Sequence, residues 1–568
     1  MSRKELNLGI LAHVDAGKTT LTERLLYNAG VISKLGSVDA GTTQTDTLAL
    51  ERQRGITIRS AVASFEIGDV HVNLIDTPGH PDFIAEVERV LSVLDGAVLV
   101  VSGVEGVQPQ TRILMRALER LSVPTLFFVN KLDRVGADAE RVVGEIRQRL
   151  GRDDPAFQGS ARTGEGVKEL AAGIVGLLPA ATGDPSAPAS AKVFKIERGA
   201  RNEKVVYARL FDGTIRTRDR IGDAKVTALA VFEQGGAVMR PSASAGAVVK
   251  LWGLDGAQVG DWLGEGYASG DHHFAPPTLE SVVAPLNPDD GARLRLALTQ
   301  LEEQDPLIGV RRSGGVISVS LYGEVQKEVI GATLADEFGI AVEFRETTPI
   351  YVERPVRSGR AFVAIHEDGN AFDATLGFRI EPGPPESGLL YRAESGADAV
   401  PIHIYKTHAG FEEHMREYVE DALDSGLYGW QVTDCVVTLT DVAHAVWDGS
   451  PSKRGASSAG DFKGLTPLVL RQAVRRAGTV VCEPMLRTRA EIPVALIGPL
   501  TATIARLGGT VDDTSLDGDV AVLEGELPAA KLHELQRQLP DLTGGEGVLD
   551  SSFAGYRAVE GPPPTRVV

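Results

Sequence analysis

Cysteine is scarce: 568 residues hold two, Cys435 and Cys482. Two thiols cannot frame a disulfide-stapled fold, and both are expected as small core residues in a reducing cytoplasm. Long apolar runs are missing as well. No window reaches the about 18 uninterrupted apolar residues that a membrane helix needs, so no membrane role is expected. The opening MSRKELNLGILAHVDAGKTT has too short an apolar stretch for a signal peptide and leads straight into a loop of small residues. Positive charge is in deficit. Lys and Arg number 58 against 77 Asp and Glu, a formal net charge of −19. That excludes a protein that coats nucleic acid by bulk electrostatics, while leaving room for a local basic patch. There is no low-complexity tract and no fixed-period repeat, so a solenoid is excluded.

What is present has the balance of a globular protein, 43% hydrophobic and 24% charged, in a chain long enough for several domains. Over residues 1–180 the runs LNLGILAH, HVNLIDT, GAVLVVS and TLFFVNK read as buried parallel strands. Helical patterns, KTTLTERLLYNAG and QTRILMRALERL, alternate with them, which predicts a doubly wound α/β domain. ATGDPSAPASA reads as a linker. Short strands with Gly-rich turns follow, KVFKIER, KVVYARLFDG and GAVVKLWGL, predicting a β-barrel over 190–275. Three α+β domains are expected beyond it, at 276–350, 351–480 and 481–558. The last reads strand, helix, strand, helix, strand in a split βαβ order. The tail GPPPTRVV is expected to be disordered.

Five short motifs carry chemistry. Ala12, His13, Val14, Asp15, Ala16, Gly17, Lys18 and Thr19, followed by Thr20, form a phosphate loop between a strand and a helix. Ala12 stands at the usual first glycine. Gly17 lets backbone N–H groups approach phosphate, Lys18 supplies a cation, and the Thr19 hydroxyl is a magnesium ligand. Asp76, Thr77, Pro78, Gly79 and His80 end a strand beside that loop. Asp76 is placed to hold magnesium through a water, and Gly79 to meet the γ-phosphate. Thr57, in ERQRGITI, is a magnesium ligand only when that phosphate is present. Asn130, Lys131, Leu132 and Asp133 follow another strand. The Asp133 carboxylate accepts from two guanine N–H groups that adenine lacks, which selects GTP over ATP. Ser160 and Ala161 place a backbone N–H near the guanine carbonyl. His80 is the catalytic candidate, orienting the attacking water, with Val14 and Ile56 as an apolar gate beside it. Five motifs in this order predict a GTP-hydrolysing enzyme that uses GTP and Mg2+. His272 and His273 read as an exposed linker, and His403, His408 and His414 fit no metal-ligand spacing.

These residues resemble translational GTPases of the elongation factor G type. Within them, GSVDAGTTQTDTLALERQRGITI, GVQPQTRILMRALERLSVPTLFFVNKLDR, LYGEVQKEVI and DSGLYGWQVTDC are similar to the tetracycline-resistance ribosomal protection proteins. The resemblance implies five domains, ribosome binding by a cytoplasmic monomer, and a fourth domain that reaches the decoding region and displaces the drug. It also marks departures. The insertion that elongation factor G carries between the fourth and fifth motifs is absent, since only a helix-sized stretch separates Asp133 from Ser160. The family's compact loop is replaced by a longer one at Trp447–Gly460, in which Lys453 and Arg454 could meet rRNA phosphates and Trp447 a base. The C-terminal helical extension is not seen. Two alternatives stay open: an elongation factor G paralogue acting in translocation or rescue without drug specificity, and a GTP-dependent switch that recruits partners.

Overall fold

The computed structural model describes residues 4–36, 60–78, 84–199, 201–222, 224–264, 277–313, 316–394, 400–445, 456–544 and 547–566. The N-terminal sheet has six strands in the order β2 (Ala61–Ile67), β3 (Val70–Asp76), β1 (Lys4–Ala12), β4 (Gly96–Ser102), β5 (Thr125–Asn130) and β6 (Ala156–Gln158). β2 runs antiparallel to β3; every other pairing is parallel. β4 and β5 are buried along their whole length, as both faces of a parallel sheet must be when helices cover them. On one face Leu6, Leu8 and Ile10 pack against Leu21 and Leu25 of α1 (Lys18–Asn28). On the other, Leu99 and Val101 pack against Val90 of α2 (Ile84–Leu91) and Leu114 and Leu118 of α3 (Pro109–Arg120). β2 is an edge strand that the sequence pattern did not announce, because AVASFEI has no clean alternation.

The second unit is the expected β-barrel, built around β7 (Ser190–Arg198) and β8 (Lys204–Asp212). It is not an independent bead on a linker. Phe194, Val205, Tyr207, Phe232 and Val248 belong to the same apolar core as Leu99 and Leu118 of the first domain. Within that layer the Arg209 guanidinium pairs with Asp95, both side chains almost wholly buried, and donates to the Val93 carbonyl at 2.8 Å. Gly235 N–H donates to the Ser64 carbonyl at 2.8 Å, so the barrel also grips β2.

Beyond the barrel, a sheet of Arg311–Ser313, Val316–Leu321, Leu279–Pro285 and Val342–Phe344 carries the helices Gly291–Gln304 and Glu324–Phe338. A four-stranded sheet follows, ordered Gly359–Val363, Ala374–Pro382, Cys435–His444, Leu389–Ala393, with Cys435 in its core beneath the helices His408–Leu423 and Ala459–Ala477. The strand Thr479–Pro493 then runs 15 residues without a break. It pairs with Val352–Pro355 at one end and with Val520–Pro528 at the other, while Val548–Ala558 lies along its opposite edge. A boundary at 480/481 therefore falls inside a strand.

The acid-rich segment Thr510–Asp517, which the predicted strand and helix order leaves out, is an edge strand in a hairpin with Val520–Pro528. Two readings meet the structure differently. Residues Ser457–Gly460 belong to a helix start rather than to the loop expected over Trp447–Gly460. Ser458 and Asp461 form a reciprocal cap, and the nearly buried Ser457 bonds Ala445 N–H and the Asp373 carbonyl. Trp447, Lys453 and Arg454 lie outside the described residues, as do His272, His273 and Ile56. The tail is docked, not loose. The Trp430 indole N–H donates to the Pro564 carbonyl at 2.8 Å, and Arg566 N–H to the Tyr428 carbonyl at 2.9 Å. The Arg566 guanidinium sits 2.5 Å from Glu280 and 2.8 Å from the Ser318 hydroxyl, over the Trp430 ring. A Pro-rich, polar peptide orders here because buried partners wait for it: the Glu280 side chain is only 7% exposed.

Breaking such a pair leaves a carboxylate buried without a counter-charge, at a cost of roughly 3 kcal/mol. Arg566→Ala should therefore lower the earliest calorimetric unfolding transition by several degrees. Glu280→Gln in the same chain should recover part of the loss, and an unchanged thermogram for Arg566→Ala would show the tail contributes nothing.

Candidate nucleotide site

Three parallel strands deliver the site from their C-terminal ends: β1 at Ala12, β3 at Asp76 and β5 at Asn130. That is where ligands bind on open α/β sheets. After Ala12 the chain turns through Asp15, at φ 65°, and Gly17, at φ 96°. Gly17 is required twice over. Its conformation is left-handed, and a Cβ would lie 2.4 Å from the Asn130 amide nitrogen. α1 opens directly after it with Lys18, Thr19 and Thr20, so the free N–H groups of the helix start face the cradle.

Lys18 Nζ lies 2.5 Å from Asp76 Oδ1, with both side chains buried. The two residues stand 58 positions apart, yet the parallel pairing of β1 with β3 brings them together. Thr77 donates its hydroxyl to the Ile10 carbonyl at 3.1 Å, which fixes the exit from β3, and Pro78 is buried after it. Gly79 and His80, like Thr57, lie outside the described residues.

Asn130 joins the two halves of the site. Its amide nitrogen donates to the Ala16 carbonyl at 2.8 Å, and its oxygen accepts from Ala161 N–H at 2.9 Å. One side chain thus sets the phosphate loop against the Ser160–Ala161 turn. Asp133 is held by the Ser160 hydroxyl, 2.7 Å from Oδ1, and Arg162 approaches its other oxygen at 3.8 Å. Leu132 N–H donates to the Gly159 carbonyl at 3.2 Å. Lys131, at φ 66°, extends its ammonium to Glu105 at 3.3 Å.

Several supports lie outside the motifs. Arg24, on α1, donates through Nε to the Ala161 carbonyl at 2.8 Å and also bonds the Arg162 carbonyl. Gln110 accepts from Val14 N–H at 3.2 Å. His13 is nearly buried. Its Nδ1 lies 3.3 Å from the Thr111 hydroxyl and its Nε2 3.9 Å from Glu105. Burial holds its pKa below the ordinary histidine value, against the pull of Glu105. The folded loop therefore binds a proton less readily than the unfolded chain, and stability falls as pH drops below the ordinary histidine range. None of these partners had a local signal, because each reaches across about a hundred positions or more.

Comparison with known proteins fits this geometry. Residues 3–180 match the elongation factor Tu GTP binding domain, 341–478 elongation factor G domain IV, and 480–567 the elongation factor G C-terminus. The chain is 42% identical to the oxytetracycline resistance protein of Streptomyces rimosus, over 99% of this chain and 96% of that one. It is 40% identical to tetracycline resistance protein TetM of Streptomyces lividans, covering 96% of each. It is 35% identical to TetO of Campylobacter jejuni, over 98% and 96%. The chain belongs to the tetracycline-resistance ribosomal protection family. It is a GTPase with an elongation factor G-like architecture. A crystal structure of a Thermus thermophilus protein shares the fold, at a TM-score of 0.63 and 23% identity, over 98% of both chains.

Two substitutions test the site. Asn130→Ala should lower GTP and GDP affinity alike, since both loops lose their common tie, as read by titration with a fluorescent nucleotide. Asp133→Asn should shift preference from guanine towards xanthine nucleotides; unchanged GTP affinity would refute the assignment of Asp133.

Proposed function

We propose that this GTPase protects translation from tetracycline-class antibiotics: it binds the ribosome as a monomer, displaces the drug, and leaves when GTP is hydrolysed. The observation that carries the reading is the assembled cradle of Gly17, Lys18, Asp76, Asn130 and Asp133 in a chain alignable nearly end to end with named resistance proteins. In this reading the first domain spans 1–180, the barrel 190–275, and the α+β domains 276–350, 351–480 and 481–558, the last boundary lying within the strand Thr479–Pro493 that the two domains share.

Lys18 faces Asp76 in the described site, so an incoming β,γ-phosphate competes with that carboxylate for the ammonium. The helix start at Lys18–Thr20 supplies N–H donors to the same phosphates. The donor set suits a hard divalent cation, because the Thr19 hydroxyl and the buried Asp76 carboxylate are both oxygen ligands. Thr19, Thr57 and Asp76 would hold Mg2+, which would neutralise charge on the transferring phosphoryl group. Asp133 and the Ala161 N–H would read guanine. His80 would orient the attacking water, with Val14, which is exposed in the phosphate loop, and Ile56 restraining it until the ribosome engages. The segment between Ala445 and Ser457 would meet the drug's pocket in the decoding region.

His80→Ala should keep GTP binding and lose most ribosome-stimulated hydrolysis, measured under multiple turnover. For rescue, translation in vitro with tetracycline should resume on adding the protein and GTP. Deleting Ser452–Gly455 alone, which spares the helix cap at Ser458, should abolish that rescue and leave hydrolysis near normal. An intact parent that fails to rescue would favour an elongation factor G paralogue.

A further inference from the structure

Ser60 follows Thr57 by three residues, and α2 begins at Ile84, four residues past His80. These two segments meet at a polar node that none of the five motifs includes. Ser60 is 1% exposed, and every polar group it owns is engaged. Its N–H and its hydroxyl both donate to Glu86 Oε1, at 2.8 and 2.9 Å. Its carbonyl accepts from the Lys195 ammonium. Lys195 comes from β7 of the barrel, is nearly buried, and also pairs with Glu197 at 2.6 Å. Three residues past Glu86 on α2, Arg89 pairs with Asp305 at 2.5 Å, just after the helix Gly291–Gln304. Burial raises the Glu86 pKa above the ordinary carboxyl value, while the Ser60 bonds and the Lys195 and Arg89 charges oppose that.

A charged network at a domain junction is a costly way to hold two surfaces together, since apolar side chains of like volume hold them as well or better. Its advantage is directional. Hydrogen bonds to one carboxylate oxygen and one carbonyl fix register in a way that apolar contacts do not. Here the register fixed is that of the chain just after Thr57 against the helix just after His80.

We propose that Glu86 and Lys195 are positioning residues for GTP hydrolysis, which hold the chain at Ser60, three residues past Thr57, against α2, which opens four residues past His80, and pass that register to the barrel. Arg89 and Asp305 extend the same line to the third domain. The inference rests on the roles proposed above for Thr57 and His80. Among the described residues, the bonds of Glu86 and Lys195 reach none of Gly17, Lys18, Asp76, Asn130 and Asp133, so their effect should fall on the arrangement that the γ-phosphate requires.

The test uses the full-length chain with Glu86→Gln, Lys195→Met, Ser60→Ala, Ser60→Thr and the Glu86→Gln/Lys195→Met pair. GDP affinity, GTP affinity, and kcat and KM for ribosomes are measured, with His80→Ala alongside. Glu86→Gln and Lys195→Met should each lower ribosome-stimulated kcat about tenfold while GDP affinity and ribosome KM stay within about twofold. Together they should lose less than the product of the two, because they act through one serine. Ser60→Ala should lose less than either, and Ser60→Thr should restore most of it. A normal kcat in Glu86→Gln and Lys195→Met, or a parallel loss of GDP affinity in both, would overturn the proposal. His80→Ala reports on the catalytic histidine alone, so failure of that reading is told apart from failure of the node. If Glu86→Gln does not fold, Lys195→Met, seated on the barrel, decides the matter.

Discussion

The ion pair of Arg209 with Asp95 is the constraint on which the rest of the arrangement depends. It ties the barrel to the nucleotide domain through the Val93 carbonyl and through Asn7, which donates to Asp95 from backbone and side chain, beside a core that the two domains share and that includes Leu99, Leu118, Phe194 and Tyr207. Two domains that bury one core together move as one body. The remaining junctions are different in kind. Arg112 and Arg116 meet Glu491, Arg116 also meets Asp550, Arg198 meets Glu303, and Arg89 meets Asp305. Arg89, Arg112 and Glu491 are nearly buried in these pairs, so each seam fixes a register while it is closed and is costly to leave half-broken. The first two domains, which share an apolar layer, form the more rigid pair.

Within that rigid pair the nucleotide site is organised by one amide. Asn130 ties the phosphate loop to the Ser160–Ala161 turn, and Gly17 leaves the space it needs. Arg24 and Gln110 hold the same loops from behind. A site so braced binds without having to order itself first, which keeps affinity high for a ligand that must be exchanged each cycle.

How much of this was legible depends on where the partners lie. The strands β1, β3, β4 and β5 could be read because parallel strands covered on both faces leave near-continuous apolar runs. The phosphate-loop run, Asp76 and the Asn130–Asp133 run could be read from short spacing, and the fold brings these described residues to one edge of the sheet. Ala61–Ile67 and Thr510–Asp517 could not, because edge strands tolerate polar and acidic residues on the face that meets water. The order in the tail was hidden for another reason. Nothing in GPPPTRVV signals structure; the signal is in Glu280 and Trp430, more than a hundred residues upstream. Arg24 and Glu86 are similar cases, since their meaning lies in a carbonyl or a serine that only the fold brings near. The strand Thr479–Pro493 shows the limit of boundary reading, because one unbroken strand pairs with Val352–Pro355 on one side of the boundary and with Val520–Pro528 on the other, all in one sheet.

The docked tail also bears on the order in which this chain matures. Domains made on a ribosome fold in the sequence in which they emerge. The sheet carrying Glu280 and the turn carrying Trp430 are synthesised long before Arg566, so the buried carboxylate must wait, hydrated, for a cation at the far end of the chain. This tie between the two domains is thus among the last contacts the chain can make during synthesis. Until synthesis has passed Arg566, the Glu280 carboxylate lacks the cation that pairs with it across that seam.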